Sequence, residues 1–331
     1  MGKTVVQQQS EGELRSMYAA DIREAMCRQP HVIPTKHLYD DIGVRLFAAF
    51  CDSAPDHYEA RQAALLDVAV HESLGCESRA WVEFGAGSCR SVRRMLETLN
   101  PRLPLSYRPI DISPVLLMQA LMSLEKDFPT LALMPAICDF ETWPADRYVQ
   151  AGVPTDFLFL GNSFCNMDGI PPHLFLARLR EVCHPESRLI LGMALGFDQK
   201  QFKASYHDTG GHFDRFRWNA LTRLQTELGA NIRQQDFHLR SEYNAQLCRG
   251  ESFFEAMTST HIEIPSLEIS VQWPVGERMV IGSTQRYDKQ SLDDTMRHGG
   301  WAPTSCVDAG DDEFMLLVYR PIASSVRKAQ P

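Results

Sequence analysis

From Arg79 onward, apolar runs of strand length alternate with amphipathic runs of helix length, and this alternation constrains the fold more than any other feature of the chain. Residues 80–84, 106–110, 131–137, 156–160 and 189–193 read as strands, and 88–99 and 115–126 as helices. Strands separated by helical crossovers line up in parallel, so the pattern predicts a mostly parallel sheet with helices packed on it. Residues 197–287 break the rhythm. A helical run at 215–227 precedes extended runs at 258–264, 267–273 and 278–284, and the last two flank Pro274-Val275-Gly276-Glu277, a hairpin signal. Residues 289–298, behind an Asp288 cap and ahead of Gly299-Gly300, then predict a helix, and 314–319 a final strand returning to the main sheet. Upstream, 11–28 reads as a helix stopped by Gln29-Pro30, 37–51 as a turn followed by a helix, and 59–72 as a further helix. The expected class is α/β: a Rossmann-like sheet with an additional α+β lobe.

At the first strand-to-helix junction, Val82-Glu83-Phe84-Gly85-Ala86-Gly87-Ser88 places two glycines where bare backbone N–H groups can approach a ligand. Asp111 closes the second strand, where a carboxylate can accept both hydroxyls of a ribose. Asp139-Phe140 closes the third, and suits an adenine: the carboxylate accepts from the exocyclic amine while the ring packs on the base. Taken singly, each acid reads as a helix cap as readily as a ligand; their placement after successive strands favours one nucleoside-bearing cofactor. A nicotinamide dinucleotide is disfavoured because Arg90 stands where the third glycine of GxGxxG belongs. S-adenosylmethionine has no pyrophosphate and tolerates Arg90.

Composition narrows the substrate. With 42 acidic against 33 basic residues, a formal net charge of −9 works against phosphate backbones, so nucleic acid is not expected. No run of 18 apolar residues and no signal-like opening is present, so membrane residence and export are not expected either. The nine cysteines are an odd number without CxxC spacing, and the eleven histidines lack HExxH, which predicts free thiols, a cytoplasmic setting and no metal.

Beyond these features, five stretches resemble the histidine-specific Nα-methyltransferases of ergothioneine biosynthesis and their fungal relatives acting on tryptophan-type amino acids. They are Leu38-Tyr39-Asp40-Asp41-Ile42-Gly43, Glu83-Phe84-Gly85-Ala86-Gly87-Ser88, Pro109-Ile110-Asp111-Ile112-Ser113, Gly161-Asn162-Ser163-Phe164-Cys165-Asn166 and Ser205-Tyr206-His207-Asp208. The resemblance spans roughly residues 30 to 321 and implies a class I methyltransferase domain (61–196 and 286–322) with a substrate-binding lobe (12–60 and 197–285). It implies a cofactor site of Tyr58, Gly85, Ala86, Gly87, Asp111, Asp139 and Phe140. For a small amino-acid substrate it implies Asn166 and Tyr206 at the α-carboxylate and amine, with Tyr39, Gly161, Ser163 and Phe216 completing the pocket.

The departures are specific. Histidine-specific members hold the imidazole with a Glu and a Ser two positions apart; here these read Gly282 and Thr284, and a Met that narrows the pocket reads Ser252. A lysine near the cofactor carboxylate reads Ser91, with Arg90 and Arg93 as possible stand-ins. These changes predict N-methylation of an amino acid other than histidine, with a larger side-chain pocket and a bulkier, tryptophan-like or modified substrate. Catalysis then rests on alignment by Tyr39, Asn166 and Tyr206 rather than on a dedicated base. The competing readings are aminocarboxypropyl transfer or cyclisation in the same cleft, and a non-catalytic cofactor-binding partner protein.

Overall fold

The computed structural model of the protein describes residues 6–53, 65–66, 79–99, 104–196, 210–308 and 314–323. A short strand, β1 (Gln7–Gln8), leads into helix α1 (Glu11–Cys27). Ser10 begins that helix by accepting the Glu13 N–H at 3.2 Å, while Glu13 accepts the Ser10 N–H at 2.7 Å, so two end groups are satisfied reciprocally. Strand β2 (His31–Val32), a 3-10 turn (Thr35–Leu38) and helix α2 (Gly43–Ser53) follow. Asp40 starts α2 by accepting the Gly43 N–H at 2.8 Å, and it also accepts Asn219 Nδ2 at 2.6 Å. A Cβ on Gly43 would lie 1.8 Å from the Leu38 carbonyl oxygen, so this corner needs glycine at its last position.

The main sheet is built from β3 (Ala80–Phe84), β4 (Ser106–Asp111), β5 (Ala132–Leu133), β6 (Ala136–Ile137), β7 (Thr155–Leu160) and β8 (Arg188–Ala194). Helices α3 (Arg90–Leu99), α4 (Pro114–Asp127) and α5 (Pro172–Val182) lie between successive strands. Alternation along β3 sends Trp81 into one core with Met95, Leu96 and Leu117, and Val82 and Phe84 into another with Phe159, Phe175 and Leu176. Both faces of the strand are therefore covered, which is why it reads as an apolar run interrupted only by the buried Glu83.

The second part of the chain opens with helix α6 (His212–Leu228) and continues through β9 (Phe237–Asn244), β10 (Arg249–Ala256), β11 (Thr260–Ile264), β12 (Ile269–Trp273) and β13 (Arg278–Gln285). These form a four-stranded sheet, β2-β13-β10-β9, and a separate pair, β11-β12. Their core, with Phe254, Trp273 and Ile281, is shared with Ile22 of α1, Phe50 of α2 and Leu221 of α6. The chain returns through α7 (Lys289–His298), β14 (Trp301–Asp308) and β15 (Phe314–Pro321).

The main sheet runs β1-β6-β4-β3-β7-β8-β15-β14, with β5 beside β4. It is parallel except for β15 against β8 and β14 against β15. The order reverses between β3 and β7, and at such a switch point the carboxyl ends of the strands open a crevice. The α/β class and the extra lobe expected from the sequence are present.

Two local expectations change, and one edge strand was not expected at all. The turn at residues 274–277 exists, with Glu277 N–H donating to the Pro274 carbonyl at 3.1 Å, but it does not join a hairpin. Gly276 and Glu277 bond Ala256 at the end of β10 instead, so β13 pairs with β10 while β12 pairs with β11. The strand expected at 131–137 is two short pieces, interrupted at Met134-Pro135, where proline offers no N–H. Strand β14 went unread because it is an edge strand carrying Pro303 and mostly exposed side chains. The helix expected at 59–72 lies outside the described residues except for Leu65 and Leu66.

Candidate active site

At the end of β3 the chain turns through Gly85 at φ 71° and Gly87 at φ 50° before entering α3. The Gly85 and Ala86 N–H groups donate to the Ile110 carbonyl at 2.9 and 3.0 Å, pinning the turn to β4. A Cβ on Gly85 would sit 2.0 Å from Ser163 Oγ, so both backbone conformation and contact exclude a side chain there. At Gly87 the situation is reversed: nothing lies within 4 Å of the Cβ position, and the turn opens outward onto a cavity.

Asp111 at the end of β4 accepts the Gly87 N–H at 2.8 Å on one oxygen and the Ser113 N–H at 2.9 Å on the other. The clamp fixes the carboxylate and leaves each oxygen a further lone pair. Burial pushes its pKa upward, while the Ser113 and Gly87 N–H groups favour the charged form. Beneath the same turn, Glu83 is buried and accepts the Tyr107 hydroxyl. Burial raises the Glu83 carboxyl to about 8, so it is largely protonated at neutral pH.

After β6, Asp139 is buried, with Lys36 Nζ 3.0 Å from one carboxylate oxygen and the Glu141 N–H donating to the other at 3.0 Å. Lys36 is also 2.9 Å from Asp21 of α1, so one ammonium ties the N-terminal arm to this corner. Burial pulls the Lys36 pKa down, but Asp139 and Asp21 outweigh it and hold the ammonium above its ordinary value. The Phe140 ring packs 5.5 Å from Phe84 and 6.0 Å from Phe159.

The segment after β7 carries Gly161, Ser163 and Asn166. The Asn166 N–H donates to the Asn162 carbonyl at 2.9 Å, and Thr284 Oγ1 on β13 donates to Asn166 Oδ1 at 3.0 Å. With its carbonyl oxygen engaged, the Asn166 amide nitrogen remains as a donor. Tyr39 closes the opposite wall, its ring 5.4 Å from Phe47 and 5.2 Å from Phe216, which are themselves 5.3 Å apart.

These groups surround a cavity of about 310 Å³ lined by Gly85, Ala86, Gly87, Asp111, Asp139, Phe140, Tyr39, Gly161, Ser163 and Asn166. A smaller cavity of about 40 Å³ is lined by Tyr39, Asn166, Phe216, Gly282 and Thr284, and shares Thr35, Tyr39, Phe47, Asn162 and Asn166 with the first. Tyr58 and Tyr206 lie outside the described residues. The larger cavity fits the cofactor class expected from the sequence: open space above Gly87, a clamped carboxylate with spare acceptor capacity, and an aromatic ring beside a second carboxylate. Arg90 and Ser91 line it as well, whereas Arg93 turns to Asp127, to Ser123 at 2.9 Å and to Glu97 at 3.0 Å, which removes it as a stand-in for the missing lysine.

Gly282 lines the smaller cavity, and a Cβ there would come 3.1 Å from Leu38 Cδ1 and 3.7 Å from Thr35 Oγ1, so Leu38 packs beside this position. Ser252 faces Gly282 across the β10–β13 register, and its hydroxyl lies 3.0 Å from that of Ser241 and 3.3 Å from Arg217 Nη1. Of the aromatic residues on α6, Phe213 and Phe216 line the smaller cavity, while Trp218 stacks on Phe254 in the core. Sequence reasoning missed Lys36, Phe47, Asn162 and Arg217. Asn162 was visible inside a quoted motif and Lys36 two residues before one; nothing local marked Arg217.

The family of histidine-specific, SAM-dependent methyltransferases matches residues 18–321. The histidine N-alpha-methyltransferase of Mycobacterium tuberculosis is 25% identical over 275 residues, covering 82% of this chain and 85% of the relative. The N-methyltransferase fsqC of Aspergillus fumigatus is 28% identical over 242 residues, covering 70% of this chain and 64% of the relative. Among solved structures, an S-adenosylmethionine-dependent methyltransferase from Clostridium acetobutylicum superposes with a TM-score of 0.46 at 10% identity, covering 84% of this chain and 99% of that one. The match over nearly the whole chain, on a sheet whose switch point carries the glycine turn, makes this protein an S-adenosylmethionine-dependent N-methyltransferase belonging to the histidine-specific methyltransferase family.

Proposed function

We propose that the protein methylates the α-amino nitrogen of a free amino acid other than histidine. The observation that carries this reading is the state of the two imidazole-holding positions: Gly282 offers no side chain, and Thr284 spends its hydroxyl proton on Asn166. An imidazole would lose a charge-assisted partner worth roughly 1.5 to 3 kcal/mol.

S-adenosylmethionine supplies an electrophilic methyl group on a sulfonium. In this assignment Gly85, Ala86, Gly87, Asp111, Asp139 and Phe140 would hold the cofactor, and the family resemblance adds Tyr58 to that set. Asp111 accepts the ribose hydroxyls with the lone pairs its backbone clamp leaves over, and Asp139 accepts the adenine amine beside its Lys36 contact. Asn166, its carbonyl fixed by Thr284, would offer its amide N–H groups to the substrate carboxylate, and the family resemblance assigns Tyr206 to the same task. Tyr39, braced by Phe47 and Phe216, orients the amine. Gly161 and Ser163, which line the larger cavity, would complete the substrate pocket. Residues 61–196 and 286–322 would handle the cofactor, and 12–60 and 197–285 the amino acid.

The sequence favoured a bulky, tryptophan-like substrate. Leu38 against Gly282 and a side-chain cavity of about 40 Å³ support a compact side chain instead, since that volume corresponds to about three waters. Incubating the enzyme with labelled cofactor and the twenty amino acids tests the proposal. The expected products are S-adenosylhomocysteine and an α-N-methylated amino acid, with kcat/KM for histidine roughly 10- to 100-fold below that of the best substrate. Histidine as the best substrate, or methylthioadenosine as the product, would overturn it.

A further inference from the structure

The smaller cavity has a chemical character that its family positions do not explain. Arg217 of α6 lines it, with a side chain 9% exposed, and no other charged residue lines it among the described residues. Arg217 Nη1 donates to Ser241 Oγ and lies 3.3 Å from Ser252 Oγ; Nη2 donates to Asp214; and the guanidinium carbon lies 4.5 Å from the Phe213 ring centroid. Ser241 and Ser252 sit opposite each other on β9 and β10, and of the two Ser252 lines the cavity, with Ser241 holding the guanidinium beside it. Across from Ser252 stands Gly282, where histidine-specific members carry a carboxylate. Among the described residues, the charged group lining this cavity is the Arg217 guanidinium, held by Asp214 from the same helix.

Resting on the α-amino-acid reading above, we infer that the substrate's side chain ends in an anionic group, a carboxylate or its equivalent, which Arg217 binds with help from Ser252. A guanidinium is a fork of N–H donors with no acceptor, matched to a planar carboxylate and repelled by imidazolium, ammonium or another guanidinium. The Ser252 hydroxyl adds a donor without adding charge. Asp214, an ion-pair partner on the same helix, has a side chain 62% exposed. Water solvates its carboxylate when the fork turns to a substrate, so releasing Asp214 does not strand a buried charge. The cavity's size suits a carboxymethyl or carboxyethyl side chain better than an indole.

The test compares acidic amino acids with their neutral isosteres on the full-length enzyme: aspartate, glutamate and 2-aminoadipate against asparagine and glutamine, with histidine and tryptophan included. Product mass spectrometry locates the methyl group. Calorimetry of each amino acid with the S-adenosylhomocysteine complex reads binding independently of turnover. Wild type is expected to favour an acid over its amide by roughly 10- to 100-fold in kcat/KM and in affinity. Arg217→Gln is expected to collapse that ratio towards one through KM, and Arg217→Lys to retain part of it, both with unchanged S-adenosylhomocysteine affinity.

Equal use of acid and amide by wild type, or best use of tryptophan or histidine at the α-nitrogen, overturns this inference and leaves the α-amino reading standing. An unaltered acid-to-amide ratio in Arg217→Gln does the same. Methyl transfer to a side-chain atom overturns the α-amino reading and this inference with it. Should Arg217→Gln not fold, the wild-type acid-to-amide ratio alone decides.

Discussion

The proposed cofactor cradle and the proposed side-chain pocket share walls but are made by different means. The cradle is largely backbone: Gly85 and Gly87 at positive φ, and an Asp111 carboxylate clamped by two N–H groups, all at the ends of adjacent parallel strands. The pocket is made of side chains brought from a 3-10 turn, a helix and two antiparallel strands: Leu38, Arg217, Ser252 and Thr284. Backbone geometry leaves little latitude, because a Cβ at Gly85 would collide with Ser163. Side chains can be exchanged one at a time while the strands persist. One enzyme can thus retain its cofactor chemistry while its substrate preference drifts.

The sharpest way to break this contrast is Gly85→Ala. The added Cβ must displace the segment carrying Ser163 or the turn itself, and a misplacement of about 1 Å is enough to cost roughly 100-fold in kcat/KM. Calorimetry with S-adenosylhomocysteine should show a parallel loss of affinity; wild-type binding by this variant would mean that the turn does not cradle the cofactor.

Thr284→Val probes the other region. It removes the donor that fixes Asn166 and leaves the strand in place, so KM for the amino acid should rise roughly 5- to 10-fold, the net worth of one hydrogen bond, with cofactor affinity unchanged. Steady-state kinetics with each substrate varied in turn separate the two outcomes, and an effect on cofactor affinity alone would erase the distinction between the regions.

A smaller effect is expected from Glu83→Gln, which asks whether the cradle rests on a neutral acid. The Glu83 carboxyl is raised from its ordinary 4.5 to about 8, so between these values the folded state holds a proton that the unfolded state releases. Its contribution to stability is complete below pH 4.5 and is lost as pH rises through 8. Thermal melts should show Glu83→Gln flattening the decline in Tm over that window, while an unchanged pH profile would show that this carboxyl is already ionised in the folded protein.

Much of the cradle was legible because its signals are local. Two glycines after an apolar run, and acids at the ends of the next two, are separated by the lengths of strand-helix-strand units, so reading order translates into position. The corner at Asp40 and Gly43 shows the limit of such reading. Its motif was recognised, but Asp40 caps α2 and bonds Asn219 from 179 residues away, a contact that no spacing announces. Lys36 is similar: two residues from a recognised motif, it meets Asp139 only because the N-terminal arm folds over the end of β6.

What the sequence by itself determined was the parallel sheet, the glycine turn at its switch point and the acids beside it, since hydrophobic period and backbone-permissive residues act within a few positions of themselves. Tertiary structure alone decided that β13 leaves its apparent hairpin partner for β10, that Leu38 packs beside Gly282, and that Arg217 reaches the side-chain pocket. Those outcomes depend on which distant surfaces meet, and that is settled by competition among long-range packings of similar local propensity rather than by any residue's own preference.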